Sequence, residues 1–327
     1  MREGAAVTAM LAAARAAQHP WACMPVRGRL RILRALRHEI ASGAEALAAT
    51  VPRLVSGNLY RSPADTLVTE VLPLLEACRF LEREAAFLLA PRHESTSGRP
   101  LWLSRVTVET RRDPLGVVLV IAPGNYPLFL PAVQALQALV AGNAVLWKPA
   151  PGGRNAALAL ERMLAASGLD PALLQVLESG VEPATEAIRA GVDKVVLTGS
   201  VETGRAVLHQ LADWLTPSVM ELSGCDAVFV LDGADLGRAV AALTFALRLN
   251  GSATCMAPHR LFVAEAVADR FVTLLAASLK DLQPVPLPES TRDLLRDLID
   301  EATLYGGRVV LHGLAGALKP PGTAYAT

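Results

Sequence analysis

Apolar positions in the N-terminal part of the chain recur at helical spacing. Val26, Leu30, Leu33, Leu36, Ile40 and Leu47 share one face of a 3.6-residue period, which predicts an amphipathic helix over Pro25–Thr50. An Ala-rich helix over Ala5–Gln18 precedes it. Ser62-Pro63 opens a third, with serine as cap and proline in the first turn. The polar face of the second helix carries Arg27, Arg29, Arg31, Arg34 and Arg37. No aromatic residues interleave with them, so the face is read as solvated and not as a nucleic-acid patch. His93–Pro100 is polar and loop-like. Leu101–Thr110 alternates weakly, is rich in β-branched residues, and predicts a strand or hairpin.

From Leu115 the rhythm changes to strand, helix, strand, helix. Strands are expected at Gly116–Ala122, Ala144–Lys148, Leu173–Leu177 and Lys194–Leu197. Helices are expected at Leu128–Val140, Arg154–Ser167, Pro183–Ala190 and Val201–Ala212. Such alternation makes a parallel sheet with helices on both faces. Pro114–Trp147 holds no charged residue, yet Gly116, Pro123, Gly124, Asn125, Pro127, Pro131, Gly142 and Asn143 interrupt it. It is therefore two buried strands around a buried helix, not a membrane span, which needs ~20 consecutive apolar residues. After Pro217 the pattern restarts. Strands are expected at Val219–Leu222, Ala227–Leu231, Arg260–Val263 and Arg308–His312, and helices at Leu236–Leu249, Val267–Leu282 and Glu289–Tyr305. The restart marks a domain boundary. Leu314–Thr327 shows no element.

Composition narrows the class. The chain has 327 residues, and at about 100–200 residues per domain two domains are expected. Hydrophobic residues make up 52% and charged residues 19%, which excludes a disordered or fibrous chain. The formal net charge of +0 gives no general attraction to nucleic acid or anionic lipid. Cys23, Cys78, Cys225 and Cys255 lie far apart without CxxC spacing, as free thiols in a reducing cytoplasm would. No signal peptide and no metal-ligand spacing is seen. The expectation is a cytoplasmic protein with no nucleic-acid, membrane or metal partner.

Open parallel sheets bind ligands beyond the carboxyl ends of their strands. Asn125 follows one expected strand, Lys148 ends the next, Thr198-Gly199-Ser200 ends another, and Glu221 ends the strand after Pro217. Gly199 and Gly204 flank a strand-to-helix turn, where glycine permits close backbone approach and a helix N-terminus favours phosphate. That spacing departs from GxGxxG, and many such turns hold glycine for steric reasons alone. Cys255 closes the small-residue segment Asn250-Gly-Ser-Ala-Thr-Cys255. A thiolate there would be a nucleophile, although a lone cysteine is more often a small buried hydrophobe.

Together these segments resemble the aldehyde dehydrogenase superfamily, from about Ala12 to His312. Pro114-Leu-Gly-Val-Val with Ala122-Pro-Gly-Asn-Tyr-Pro127 is similar to "PLGVV…PWNYP", with Gly124 in place of tryptophan. Gly142-Asn-Ala-Val-Leu-Trp-Lys-Pro149 is similar to "GNAVVLKPS", Val192–Ser200 to "VDKVSFTGS", Met220-Glu-Leu-Ser-Gly224 to "LELGG", and Cys255 with Ala257 and Arg260 to "CxAxxR". The resemblance implies a doubly wound, Rossmann-like α/β cofactor domain and a partial α/β catalytic domain. It implies oxidation of a small-molecule aldehyde to a carboxylic acid with NAD or NADP. Cys255 would attack the carbonyl, the Asn125 amide and the Cys255 backbone N–H would hold the oxyanion, and Glu221 would activate the hydrolytic water. Lys148 would bind the adenine ribose, and Pro123, Gly199, Ser200, Gly204 and Leu222 would line the rest of the cofactor.

The same resemblance sets expected boundaries. Residues 1–100 and 114–222 would form the dinucleotide-binding domain with its N-terminal helices, 101–113 the oligomerisation hairpin, and 223–327 an incomplete catalytic domain. A homo-oligomer is expected at full length. The "EIFGP"-like segment is absent, so residues 1–327 alone are expected to turn aldehyde over at background rate. Pro151 stands where the family usually has a ribose-binding Glu, which weakens the case for NAD over NADP, and the loop before Cys255 reads Ser-Ala-Thr instead of "GQx". An acylating or phosphate-dependent reductase of the same superfamily is the enzymatic alternative, against which Glu221 argues. A catalytically inactive fragment or binding protein is the alternative of another class.

Overall fold

The computed structural model describes residues 2–55, 59–95, 97–103, 105–280 and 289–310. Two compact units emerge. The first takes in the chain up to Val51 and Thr66–Leu222; the second takes in Pro52–Asp65 and the chain from Ser223 onward.

Five apolar runs of the first unit form one sheet. They are β1 (Val117–Ile121), β2 (Ala144–Lys148), β3 (Leu174–Val176), β4 (Lys194–Gly199) and β5 (Ser218–Leu222), in the order β3-β2-β1-β4-β5. Every pairing is parallel. All residues of β1 and β2 are buried, because helices cover both sheet faces; hence their near-continuous Val, Leu, Ile and Ala content. Asp193 pins the start of β1. Its carboxylate accepts the Val117 N–H at 2.7 Å and pairs with Arg15 at 2.9 Å. It fills the space a Cβ on Gly116 would need, and Gly116 has φ +129°, so only glycine fits.

The helices of this unit are α1 (Arg2–Cys23), α2 (Val26–Ser42), α3 (Ala44–Thr50), α4 (Leu72–Leu88), α5 (Phe129–Val140), α6 (Arg154–Ala166), α7 (Glu182–Arg189) and α8 (Val201–Ala212). Trp21 of α1 donates its indole N–H to the Leu139 carbonyl at 2.8 Å, tying α1 to the C-terminal turn of α5. The expected helix over Pro25–Thr50 is two helices broken at Gly43, the residue type that least favours a helix interior after proline. The third helix opens at Pro63 and passes through a π-turn at Leu67–Val71 before α4.

The arginine face of α2 is exposed at Arg27, Arg31 and Arg34, as expected, but not at Arg29. Arg29 is buried and donates to the Trp21 and Ala22 carbonyls, which caps the C-terminus of α1. Arg34 and Arg37 both bind Glu82 of α4, at 3.1 and 2.6 Å. Periodicity alone cannot show a carboxylate brought in from another helix. Leu101–Thr110 is likewise not one strand. Leu101–Leu103 is a 3-10 turn, and among the described residues of this segment only Glu109–Thr110 forms a strand, paired antiparallel with Arg92–His93.

In the second unit, β6 (Asp226–Val230) pairs in parallel with β7 (Pro258–Val263). Val230, Leu236, Val240, Leu243 and Phe271 form a small core with α9 (Leu236–Arg248) and α10 (Glu265–Leu279). A further helix, α11, spans Glu289–Leu304. Residues 308–310 form no strand; the rest of the strand expected at Arg308–His312, residues 281–282 of the expected Val267–Leu282 helix, and the tail Leu314–Thr327 lie outside the described residues.

Candidate functional site

Chain order and sheet order together locate a crevice. From β1 the chain crosses to β2 and β3 on one side, then returns to β4 and β5 on the other. The reversal lies between β1 and β4, and ligands of such sheets bind beyond the carboxyl ends there. Because all five strands are parallel, these ends lie along one edge. The register sets Ile121 beside Lys148 and Leu197, Thr198 beside Glu221, and Gly199 beside Leu222. The edge therefore carries Pro123 and Asn125 after β1, Lys148 at the end of β2, Gly199 and Ser200 after β4, and Glu221 and Leu222 at the end of β5.

Lys148 is the most informative of these. It is 9% exposed, and burial pushes its ammonium below its ordinary value. Among the described residues its side chain has no ion pair and no hydrogen bond. A buried cation without an acceptor is costly, so ligand hydroxyl or phosphate oxygens would relieve it. Gly199 points the same way. A Cβ there would meet only ordinary contacts, Leu197 Cδ2 at 3.5 Å and Thr203 Cβ at 3.9 Å, so nothing among the described residues requires glycine. Its bare backbone leaves room for a ligand beside the N-terminus of α8, where Ser200 caps the helix by accepting the Thr203 N–H at 3.2 Å. These residues fit a dinucleotide. Gly204 has a packing role: a Cβ there would lie 2.6 Å from Leu222 Cδ2, so its smallness lets α8 approach β5.

Asn125 is half-buried in the loop after β1, with its Oδ1 accepting the Tyr126 N–H at 3.0 Å. Glu70, which sequence reasoning missed, supports this loop. It is fully buried, and its carboxylate accepts the N–H groups of Leu128 at 3.2 Å and Phe129 at 2.6 Å, at the start of α5. Leu128 at the cap position offers no side-chain acceptor, and that absence is the sequence signal that a partner must come from elsewhere. Gln134 of α5 also donates to Thr198 Oγ1 at 2.9 Å, linking α5 to the end of β4. Glu221 is exposed, with no partner among the described residues.

Cys255 belongs to the second unit and is exposed. It follows a left-handed run with φ of 51° at Asn250, 58° at Gly251 and 62° at Ser252. By contrast, Cys78 is buried and its thiol is pushed up to about 12. Among the described residues there is no cluster of three or more His, Cys, Asp or Glu that could hold a metal ion. Nor is any described helix long and apolar enough to cross a membrane.

The sequence profile of the aldehyde dehydrogenase family matches residues 2–294. The chain belongs to the aldehyde dehydrogenase family. Among curated members, 4,4'-diapolycopene aldehyde oxidase of Methylomonas sp is 33% identical over 263 residues, covering 80% of this chain and 48% of that one. A putative succinate-semialdehyde dehydrogenase [NADP(+)] of Mycolicibacterium smegmatis is 32% identical over 288 residues, covering 88% and 54%. This family chain thus spans about half the length of those relatives. An E. coli NADP-dependent enzyme of known structure shares the fold at a TM-score of 0.83, with 23% identity, 99% of this chain covered and 67% of the other.

Proposed function

We propose that the protein oxidises an aldehyde to a carboxylic acid with NAD or NADP, in line with the relatives named for aldehyde oxidation. The observation that carries the cofactor half is Lys148, a buried cation with no acceptor among the described residues, at the carboxyl edge of a five-stranded dinucleotide-type sheet. Lys148 would donate to the adenine ribose hydroxyls. Ser200, at the N-terminus of α8, and the bare Gly199 backbone would meet the pyrophosphate, Pro123 and Leu222 would flank the bound dinucleotide, and Gly204 would hold α8 in place. Pro151 leaves no carboxylate at the turn after β2 to repel a 2′-phosphate, which favours NADP. Arg154, the first residue of α6, pairs with Glu178 at 2.8 Å, which competes with any contact to that phosphate.

Cys255 would supply the thiolate that adds to the aldehyde carbonyl carbon. The Asn125 amide and the Cys255 backbone N–H would donate to the resulting oxyanion. The nicotinamide, when bound, supplies the acceptor for the hydride that leaves the thiohemiacetal carbon. Cys255 is then a thioester, and Glu221 would take a proton from the water that attacks it, releasing the acid and the thiolate. Glu221 favours hydrolysis over the acylating alternative. We further assign 1–51 and 66–100 with 114–222 to the cofactor domain and 52–65 with 223–327 to the catalytic domain, which moves Pro52–Asp65 out of the cofactor domain expected from the sequence, and the 101–113 segment to subunit contact in a cytoplasmic homo-oligomer.

The test is to express the protein from its own gene and follow reduced nicotinamide and acid product over a panel of aldehydes. One acid per reduced cofactor supports the reading. Dinucleotide binding with no acid from any aldehyde contradicts it.

A further inference from the structure

We propose that Arg61 is a positioning residue for the turn that carries Cys255, acting through Asn250. All residues concerned belong to the second unit. Arg61 is 2% exposed and Asn250 7%, and they meet although 189 positions apart in the chain. Arg61 donates from Nε at 3.1 Å and from Nη2 at 2.7 Å to the same Asn250 Oδ1. A guanidinium has donors only, so it fixes which end of the Asn250 amide faces it. The Nδ2 end is thereby turned toward Ala253, whose carbonyl accepts it at 3.0 Å. The Asn250 side chain brackets Gly251 and Ser252.

That bracket has a physical purpose. Ser252, with φ of 62°, lies in the left-handed region that residues with a side chain rarely adopt. Asparagine tolerates that region and glycine is indifferent to it, but Ser252 needs its neighbours to hold it. The backbone repeats the bracket, with the Ala253 N–H on the Asn250 carbonyl at 3.1 Å and the Thr254 N–H on the Ser252 carbonyl at 2.8 Å. Cys255 is the next residue. Arg61 is itself held on both sides. Its N–H binds the Arg53 carbonyl at 2.7 Å, and Ser62 and Asp65 close the following turn, with Ser62 Oγ donating to Asp65 Oδ2 at 2.6 Å. The segment Pro52–Asp65 thus delivers one buried cation to the nucleophile-bearing turn. The consequence for turnover rests on Cys255 being the nucleophile; the consequence for the turn does not.

The test uses the protein expressed from its own gene, carrying Cys23→Ser and Cys225→Ser. Amide hydrogen exchange of residues 251–257 is measured by mass spectrometry for Arg61→Ala, Asn250→Asp and the double variant. Arg61→Lys is measured as a milder variant in case Arg61→Ala does not fold. Asn250→Asp keeps the acceptor for Arg61 but loses the donor to Ala253. Exchange should rise about tenfold or more in each single variant and no further in the double, since both break one chain of contacts. Arg61→Lys should fall between. The kcat should drop by about a hundredfold in Arg61→Ala, the usual scale for ~1 Å of misplacement, with the dinucleotide KM unchanged. Unchanged exchange in Arg61→Ala or Arg61→Lys, or additive effects in the double variant, would overturn the proposal. A loosened turn together with undiminished turnover in Cys255→Ala would instead sink the nucleophile assignment and leave this one standing.

Discussion

Lys148→Met gives the sharpest separation of ligand binding from folding. Methionine keeps the unbranched stem and removes the ammonium. In the folded protein that ammonium is desolvated, with no acceptor among the described residues, and its affinity for a proton is lowered from 10.5. The sign follows from linkage. Between the lowered folded value and 10.5 the unfolded chain holds the proton more tightly, so stability rises with pH across that window. Below it the penalty is present in full. Lys148→Met should therefore melt at or above the wild-type temperature at neutral pH, and the difference should shrink as pH approaches 10.5. Binding should move the other way. A hydrogen bond from a charged donor contributes about 1.5–3 kcal/mol, so the dinucleotide Kd should weaken about ten- to a hundredfold. Quenching of the neighbouring Trp147 by NADP reads the affinity, and calorimetry reads the melting temperature. A variant that binds as tightly as wild type, or that melts well below it, would show that Lys148 is a structural cation.

Gly204→Ala should lower the melting temperature, because overpacking Leu222 costs about 1–3 kcal/mol against a helix-propensity gain of about 1. With Leu222→Ala already present the same substitution should become stabilising, and loss in both backgrounds would contradict the packing account. Pro151→Glu should shift cofactor preference toward NAD by about tenfold or more, roughly 1.4 kcal/mol; competitive titration of the two dinucleotides checks it, and an unmoved ratio counts against the ribose position assigned to residue 151. Cys78, its thiol pushed up to about 12 by burial, should resist alkylation at mildly alkaline pH while Cys255 reacts, as peptide mass mapping would reveal. Equal labelling of the two would mean that Cys78 is not held in a closed core.

The parallel sheet was legible because β1 and β2 are buried on both faces and therefore apolar throughout. The edge residues Asn125, Lys148 and Glu221 followed from strand ends, which periodicity locates to within a residue or two. What stayed hidden depends on partners distant in sequence. Arg29 looked solvated on a helical wheel, yet it caps α1. Glu70 sits in an unremarkable stretch and becomes informative only beside the uncapped start of α5. Arg61 shows no local pattern, and Asn250 stands out only as the start of a small-residue segment. Leu101–Thr110 misled because β-branched residues favour a strand only where a neighbouring strand is present to pair with them.

The central claim is that Cys255 carries the acyl group and Glu221 removes it. The most direct measurement is intact-protein and peptide mass spectrometry of Glu221→Gln, in the protein expressed from its own gene, after incubation with NADP and an oxidisable aldehyde. The thioester should accumulate, seen as one acyl group on the peptide containing Cys255, with a burst of reduced cofactor equal to the enzyme and little further turnover. An unmodified Cys255 with steady turnover would contradict the account, as would an acyl group found on Cys23, Cys78 or Cys225.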